Sequence, residues 1–380
     1  MNFNRISCRA LTMLVITCML TALFIPGFVS TVQAAEYTAH GTIRIDGEAD
    51  LASWIANNGT GSGTESDPYV IQGLNITGSD GICIYVGNTT SHLVVRDNFL
   101  HGASSYVSEY ATGAGIALFN VINTVIDSNN CTDNVEGIRL IYHSNQNTIS
   151  NNTVDGNTEY GIHLNSSTDN TISNNLGNDT GDGIYLYSSG SNMLYENVLT
   201  NNTNGIHLEY SAYCTISNNT CGNNENGILL DSTKALNNLG HSVVGNNCSS
   251  NHYGILMHLG MTSTFSNNTC NDNIYGLRLD TSTNSRIVAN EMIGNSFGIS
   301  IDLSYDVDVL NNLCIGGISD GISLQSSHDN VISGNLLGSN MYGARLHGSP
   351  GNVLSFNDCL DCIDGLRVAY SDDNTIHGNN

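Results

Sequence analysis

Three aspartates stand directly after the last apolar residue of a recurring Gly-Ile-x-Leu motif or a close variant of it; they are Asp231, Asp280 and Asp302. If successive motifs stack as neighbouring strands, Asp280 and Asp302 lie about 5 Å apart and Asp231 about two strand spacings from Asp280. Carboxyl pairs about 5 Å apart suit retaining glycosidases, and pairs about 6.5–9.5 Å apart suit inverting ones. Close carboxylates also raise each other's pKa, which provides an acid near neutral pH. These three aspartates are therefore the candidate catalytic residues.

Aromatic and ionisable side chains recur at the same motif. Alternation along a strand sends the residue between Ile and Leu, and the residue after Leu, to the outer face. Aromatic rings at such positions can stack on sugars. Arg278 beside Asp280 could instead hold a uronate carboxylate, with His258 as a base. The candidate substrate-binding residues are His163, Tyr185, Tyr187, His207, Glu209, Tyr210, His258, Arg278, Arg345 and His347.

The same positions also have a structural interpretation. A carboxylate column on an acidic surface can merely hold calcium or solvent, and a regular repeat aligns side chains by construction. Two hypotheses from different classes therefore stay open: a structural, adhesive or carbohydrate-binding protein, and a polysaccharide hydrolase, lyase or epimerase. The sequence assigns no metal site and no cofactor, and calcium is the one ion that the carboxylates suggest.

A repeat of about 22 residues positions these side chains. The interval between motif glycines is mostly 22 residues, with longer intervals of 34 before Gly115 and 27 before Gly254. Each unit carries three short runs in which β-branched and polar residues alternate, as is typical of strands. Self-similarity at such a period indicates a solenoid. The sequence predicts a single-stranded right-handed parallel β-helix of about 13 coils with three strands each. The motif glycines are Gly81, Gly115, Gly137, Gly161, Gly183, Gly205, Gly227, Gly254, Gly276, Gly298, Gly321, Gly343 and Gly365.

Asparagine and cysteine also fall in columns. One asparagine column runs from Asn152 to Asn379 and predicts an inward ladder of amides that bond the turns. Five cysteines lie six residues before a motif glycine, where a buried thiol acts as a small hydrophobe. Stacked neighbours are near enough for a disulfide, and the sequence leaves open whether one forms. These cysteines are Cys131, Cys221, Cys248, Cys270 and Cys359.

The chain divides into three segments. Residues 1–35 predict a signal peptide, because Arg5 and Arg9 precede an apolar stretch over 10–29 and small residues follow. An uncleaved anchor is the alternative, since the stretch is long enough to span a bilayer. Residues 36–75 predict a strand and a capping helix, and residues 76–380 the β-helix. No other segment could cross a membrane, so a secreted or cell-surface protein is expected.

The cap and the inserts are predicted in more detail. Thr42-Ile-Arg-Ile predicts the first strand, and Asp50 is predicted to cap a helix that presents Leu51, Trp54 and Ile55 to the first coil. The longer intervals contain inserts at 103–112 and 232–240, which are expected to wall the sheet formed by the motif strands. The chain stops in mid-coil without a second cap, which suggests self-association or further sequence at that end.

The net charge of the chain limits the classes of partner that it can bind. Without the two arginines of the signal, 34 acidic residues face 8 basic ones, a net charge of −26. Such a surface repels nucleic acid because it cannot replace phosphate counterions. It suits solubility, cation binding or a salty habitat.

The segment from Gly161 to Asn175, with Gly-Ile-x-Leu followed by Asn-Thr-Ile-Ser-Asn-Asn, resembles the repeat of the NosD-like, carbohydrate-binding and sugar-hydrolase (CASH) β-helix superfamily. The resemblance covers about Tyr37 to the end, and the segment from Asn58 to Ile71 looks like the N-terminal segment of archaeal surface members. It implies a β-helix that has a polysaccharide or envelope glycan as its partner, placed on the motif sheet. NosD itself is associated with copper delivery, but this chain has no dense His, Met or Cys cluster, so that role is not carried over.

Overall fold

The computed structural model describes residues 37–104, 113–232 and 238–380. Over these residues the chain forms a parallel β-helix, which confirms the predicted fold class, and residues 37–380 form one compact unit. The predicted signal peptide lies outside the described residues, as does most of both inserts. Within the described ranges, no helix is long and apolar enough to cross a bilayer.

The motif strands form a 14-stranded parallel sheet, here called sheet 1. Neighbouring strands are in register, so that Asp280 pairs with Asp302 and Arg278 with Ser300. Equivalent residues of successive coils therefore stack in columns. The strands of sheet 1 are Ile43–Asp46, Ile82–Thr89, Ala114–Val121, Glu136–Ile141, Tyr160–Asn165, Asp182–Tyr187, Asn204–Glu209, Asn226–Asp231, Tyr253–His258, Tyr275–Asp280, Phe297–Asp302, Asp320–Gln325, Tyr342–His347 and Asp364–Ala369.

Sheet 2 is a second 14-stranded parallel sheet, and sheet 3 is a broken one in pieces of four, two and three strands. The strands of sheet 2 are Tyr69–Gln72, Leu93–Arg96, Thr124–Asp127, Thr148–Ser150, Thr171–Ser173, Met193–Tyr195, Thr215–Ser217, Ser242–Val244, Thr264–Ser266, Arg286–Val288, Asp308–Leu310, Val331–Ser333, Val353–Ser355 and Thr375–His377. Those of sheet 3 are Thr38–His40, Leu74–Thr77, Phe99–His101, Asn130–Thr132, Leu176–Asn178, Val198–Thr200, Glu291–Ile293, Leu313–Ile315 and Leu336–Gly338.

The core is a column of aliphatic side chains with asparagine ladders at the turns. The predicted inward ladder is confirmed: Asn268 Nδ2 donates to Asn290 Oδ1 at 3.0 Å and to the carbonyl of Val243 at 2.9 Å. The amides therefore bond one another from coil to coil and also bond the main chain inside the core, so their buried polar atoms are paired. The predicted cysteine column is also buried, although Cys359 in the last coils is only half-buried, and all nine cysteines of the described chain are free thiols.

The N-terminal cap is helix α1, Glu48–Asn58, which buries Leu51 and Ile55 against the first coils. The strand predicted at Thr42-Ile-Arg-Ile is found at Ile43–Asp46, but it is the second strand, because Thr38–His40 precedes it. The prediction that Asp50 is the N-cap is wrong: Gly47 occupies that position with φ 99, and Asp50 lies in the first turn. Asp50 instead accepts a hydrogen bond from the backbone N–H of Asp46, which bridges strand and helix.

Glu48 ties the cap to the first coil. Its carboxylate accepts hydrogen bonds from the backbone N–H groups of Thr90 and Ser91 and from three hydroxyls, including that of Thr89 at 2.7 Å. Burial acts to raise the pKa of Glu48, but the hydrogen bonds from Ser91, Thr90 and Thr89 outweigh it and lower the pKa to about 2. Glu48 therefore stabilises the cap as a carboxylate.

Candidate functional site

Sheet 1 carries three columns of outward side chains, one more than alternation predicts. Column A is the residue before the motif glycine, column B the residue between Ile and Leu, and column C the residue after Leu. Columns B and C hold every predicted site residue except Tyr210, which directly follows column C. From the coil of Gly137 onward, column A consists of Glu136, Tyr160, Asp182, Asn204, Asn226, Tyr253, Tyr275, Phe297, Asp320, Tyr342 and Asp364.

Column A faces outward because the strand departs from alternation at the glycine. A Cβ on Gly276 would lie 2.6 Å from the carbonyl oxygen of Gly298 and 2.8 Å from the sulfur of Met292, a core residue. The glycine position therefore points inward, as does Leu277 beside it. Two consecutive inward positions turn the preceding residue outward. The recurrence of aromatic and acidic residues before the glycine was a signal in the sequence that could have revealed this column.

A depression of about 340 Å³ lies over the strands from Tyr275–Asp280 to Tyr342–His347. Column B supplies Ser300 and Ser323 as its floor, because these small side chains stand between Arg278 and Arg345 in the stacking order. Column A supplies one wall, in which the rings of Tyr275 and Phe297 stack 4.9 Å apart at 8°. The depression is lined by Tyr275, Arg278, Asp280, Phe297, Ser300, Asp302, Leu303, Ser323, Gln325, Ser326 and Arg345.

An ion pair crosses this depression. Arg278 Nη2 lies 2.9 Å from Asp302 Oδ2 and 3.9 Å from Asp280 Oδ2, and its guanidinium stands 5.2 Å from the centre of the Tyr275 ring. Burial raises the pKa of Asp302, and Asp280 adds to the rise, while Arg278 and Ser300 oppose it. The site thus brings together two of the predicted catalytic aspartates, and the arginine predicted to hold a uronate is bound by one of them.

A second depression, of about 350 Å³, adjoins the first and shares Arg278 and Asp280 with it. Here the third predicted aspartate, Asp231, meets His258, whose Nδ1 lies 2.9 Å from Asp231 Oδ1. A carboxylate bound to one ring nitrogen orients the imidazole and leaves the other nitrogen for a ligand. This depression is lined by Leu229, Asp231, Tyr253, Leu256, His258, Arg278 and Asp280.

A third depression, of about 290 Å³, adjoins the first on its other side and shares Arg345 with it. Arg367 stands 4.9 Å from the centre of the Tyr342 ring and donates to the Tyr342 hydroxyl. This depression is lined by Tyr342, Arg345, Leu346, His347, Arg367, Ala369 and Tyr370. The three depressions together are called the groove.

The remaining predicted residues lie on earlier coils, outside the groove. Tyr185, which is buried, donates to Glu209 Oε2 at 2.6 Å. Burial and this hydrogen bond raise the pKa of Tyr185 well above its usual value. Tyr187 and Tyr210 form an edge-to-face pair with centroids 5.5 Å apart.

Two histidines complete this region and are held by column A acids. His207 Nδ1 lies 2.9 Å from Asp182 Oδ2, and His163 Nδ1 lies 3.3 Å from Glu136 Oε1. Glu136 is 3% exposed and His163 is 6% exposed. These side chains form a packed polar network over the sheet rather than an open site, so the structure divides the predicted residues into a network and a groove.

Metal-binding geometry is a separate matter. Over residues 37–104, 113–232 and 238–380, no three His, Cys, Asp or Glu side chains are grouped in a way that would hold a metal ion.

Solved structures share the fold. A mutant of the periplasmic alginate epimerase AlgG is 14% identical with a TM-score of 0.51, covering 87% of this chain and 90% of that one. The Azotobacter vinelandii mannuronan C-5 epimerase AlgE6 A-module is 14% identical with a TM-score of 0.48, covering 87% and 93%. The Dettilon tailspike protein is 15% identical with a TM-score of 0.48, covering 68% and 61%. No curated protein sequence matches the chain.

A family model covers most of the β-helix. It matches residues 96–269 and 236–380, which together include nearly all the coils that carry the network and the groove. The family is described as periplasmic copper-binding protein (NosD), and the chain belongs to it.

Proposed function

We propose that this chain is a secreted or cell-surface β-helix protein that binds a polysaccharide of the cell envelope along the groove. The observation that carries the proposal is the continuity of the three depressions, which share Arg278, Asp280 and Arg345 and follow one face of sheet 1. A groove that crosses successive strands suits a chain-like ligand with a short repeat.

The dimensions support an extended ligand. The groove spans seven strands, from Asn226–Asp231 to Asp364–Ala369. At about 4.8 Å per strand this is about 29 Å, room for several sugar units in line.

The chemistry of the walls also fits sugars. Tyr253, Tyr275 and Phe297 stack face to face at 5.0 and 4.9 Å and line the groove. These rings give apolar contact for sugar C–H groups, while Asp302 and Arg278 offer an acceptor and donors for hydroxyls. An amphipathic ligand therefore finds both kinds of contact within one coil.

The proposed location follows from the predicted signal peptide and from the net charge of −26 without it. The family description, which names the periplasm, is consistent with a location outside the cytoplasm. In an envelope, a long rigid β-helix that binds glycan would act in structure or adhesion.

Co-sedimentation with insoluble polysaccharides and affinity electrophoresis with soluble ones test the binding function. Tyr275→Ala and Phe297→Ala remove part of the groove wall and should weaken retention. Tyr305→Ala is the matched control, since Tyr305 stacks on His328 at 5.2 Å and lines none of the three depressions. The absence of binding across neutral and uronate-rich glycans would contradict the proposal.

A polysaccharide hydrolase, lyase or epimerase is the second candidate. The observation that favours it is a pair of complementary groups in the groove: Asp302, whose pKa is raised by burial, and His258, which is oriented by Asp231. A carboxyl group with a raised pKa and an imidazole with one ring nitrogen not bonded to Asp231 are groups that general acid–base catalysis can use. Asp280 between them would tune Asp302 by its charge.

Turnover distinguishes the two candidates. Purified protein is incubated with a panel of neutral and uronate-rich polysaccharides, with calcium present, and the glycans are analysed by mass spectrometry. Shortened chains, unsaturated ends or altered uronates that vanish in Asp302→Asn and Asp280→Asn would establish the enzyme. Unchanged glycans that still bind would establish the binder.

The copper of the family description does not fit the described residues. Soft thiolate or imidazole ligands suit copper, but the described cysteines, histidines and carboxylates form no group of three that would hold a metal. We therefore derive no function through copper. Calcium stays a proposal that rests on the carboxylates of column C alone.

A further inference from the structure

We infer that the central depression, floored by Ser300 and Ser323, is a subsite for an uncharged, hydroxyl-rich sugar unit and discriminates against uronate. The inference rests on the proposed glycan-binding function and names the ligand class of that same groove. It is carried by the shape of the floor and by the balance of charge around it.

The floor departs from its neighbours in column B. Reading along the groove, column B is Leu229, Leu256, Arg278, Ser300, Ser323, Arg345 and Arg367. Larger side chains stand at this position on both sides of the two serines. The depression of about 340 Å³ at this point is thus a direct result of two small residues in succession.

Charge is compensated inside this space. Arg278 is bound to Asp302 at 2.9 Å and lies 3.9 Å from Asp280, and Arg345 lies 3.7 Å from Asp320, which is fully buried. A uronate at Arg278 would either displace Asp302 and leave that carboxylate, whose side chain is 17% exposed, without its partner, or add a third carboxylate beside Asp302 and Asp280. Breaking a partly buried pair in this way is unfavourable.

Hydroxyl groups meet no such penalty. A sugar hydroxyl both donates and accepts, so it can give a hydrogen bond to Asp302 or Asp280 and accept one from Arg278 while the ion pair persists. The stacked rings of Tyr275 and Phe297, which line the depression, then contact the apolar side of the sugar ring.

The third depression, which adjoins the central one at Arg345, favours a negatively charged ligand instead. Arg367, beside Arg345, has Tyr342 as its contact and no carboxylate among the residues that line that depression. An anionic sugar would therefore bind there first and would be weakened by salt, because such attraction is screened. Binding of a neutral sugar and binding of an anionic sugar should therefore differ in their sensitivity to salt and in the residues that they require.

The test titrates the full mature chain with two sets of oligosaccharides of equal length, neutral gluco- and manno-oligosaccharides and oligouronates, by calorimetry. Each titration is run at low and high sodium chloride, with calcium and with a chelator. The variant is Ser300→Leu combined with Ser323→Leu, since column B already carries Leu229 and Leu256 at the equivalent place. The matched control is Ser266→Leu on sheet 2.

We expect neutral oligosaccharides to bind the parent chain with little dependence on salt. The double variant should lose at least about tenfold in affinity for them. Ser266→Leu should bind them as the parent does. Oligouronate binding that is as tight as neutral binding and that the double variant loses, with or without calcium, would overturn the inference and leave the glycan-binding function standing. Neutral binding that the double variant retains would overturn the subsite alone. Binding of neither set to the parent chain would overturn the proposed function itself.

Discussion

The ion pair between Arg278 and Asp302 can be measured by a double-mutant cycle with Arg278→Gln and Asp302→Asn. At 2.9 Å the attraction is about 6 kcal/mol for an effective dielectric constant of about 20, before desolvation is subtracted. Exposed pairs retain about 0.2–1 kcal/mol of this, and hydrogen bonds to charged groups about 1.5–3 kcal/mol. The side chains are 24% and 17% exposed, so a coupling of about 1.5 kcal/mol is expected.

The assay is urea unfolding of the four proteins at pH 7, with the coupling taken from the free energies of unfolding. The control is the same cycle with Asp280→Asn, which should give less than about 0.5 kcal/mol because its oxygen lies 3.9 Å from Arg278. A coupling near zero for Asp302, or equal couplings for both aspartates, would refute the assignment of Arg278 to Asp302. Arg278 would then be free for a uronate, and the neutral subsite would lose its electrostatic basis.

The pH dependence of the same pair has a defined sign. Because burial raises the folded-state pKa of Asp302, its contribution to stability is fully present below the unfolded-state pKa and declines as pH rises through the folded-state value. Arg278 opposes the rise, so Arg278→Gln should move the pKa of Asp302 further up and extend the decline to higher pH. Carbon-13 NMR titration of the aspartate carboxyls measures this directly, and a downward shift would contradict it.

Three further predictions concern the scaffold. Glu48→Gln should lower the free energy of unfolding by about 1 kcal/mol at pH 7, a value that is discounted because Glu48 is exposed. The difference in stability between the two proteins should be constant at pH values above the ordinary pKa of a glutamate. It should vanish as the pH falls toward the lowered pKa of Glu48, about 2. Asn268→Ala should cost about 3 kcal/mol in urea unfolding because it leaves several buried turn groups without partners, whereas Asn267→Gly, at an exposed position with φ 54, should be nearly neutral. Gly254→Ala should prevent soluble folding, since its Cβ would lie 2.5 Å from the Gly276 oxygen; circular dichroism and gel filtration would show native protein if that were wrong.

The repeat made the fold and the stacking order predictable, because a fixed period places equivalent residues of successive coils together. Thus the neighbourhood of Asp231, His258, Asp280 and Asp302 could be predicted from spacing alone. Column A could not be predicted by alternation, because the motif glycine and the residue after it both point into the core. The capping role of Asp50 failed for a local reason: Gly47 can adopt a φ of 99 and starts the helix earlier.

The repeat does not specify the size of the outward side chains or their hydrogen-bond partners. For this reason the sequence could not show which of the predicted residues form a groove. His163 and His207 occupy the same column as Arg278, yet Glu136 and Asp182 of column A engage them and close the surface. In the later coils, column A carries stacked rings from Tyr253 to Phe297, column B carries serine at positions 300 and 323, and the surface has depressions. In a solenoid every coil offers the same backbone, so a site arises where small residues interrupt a column of large ones. The pair Ser300 and Ser323 is such an interruption, and it coincides with the compensated charges of Arg278 and Asp302. A ligand that binds here must therefore be complementary to the space left by these two small side chains, because the backbone is the same in every coil.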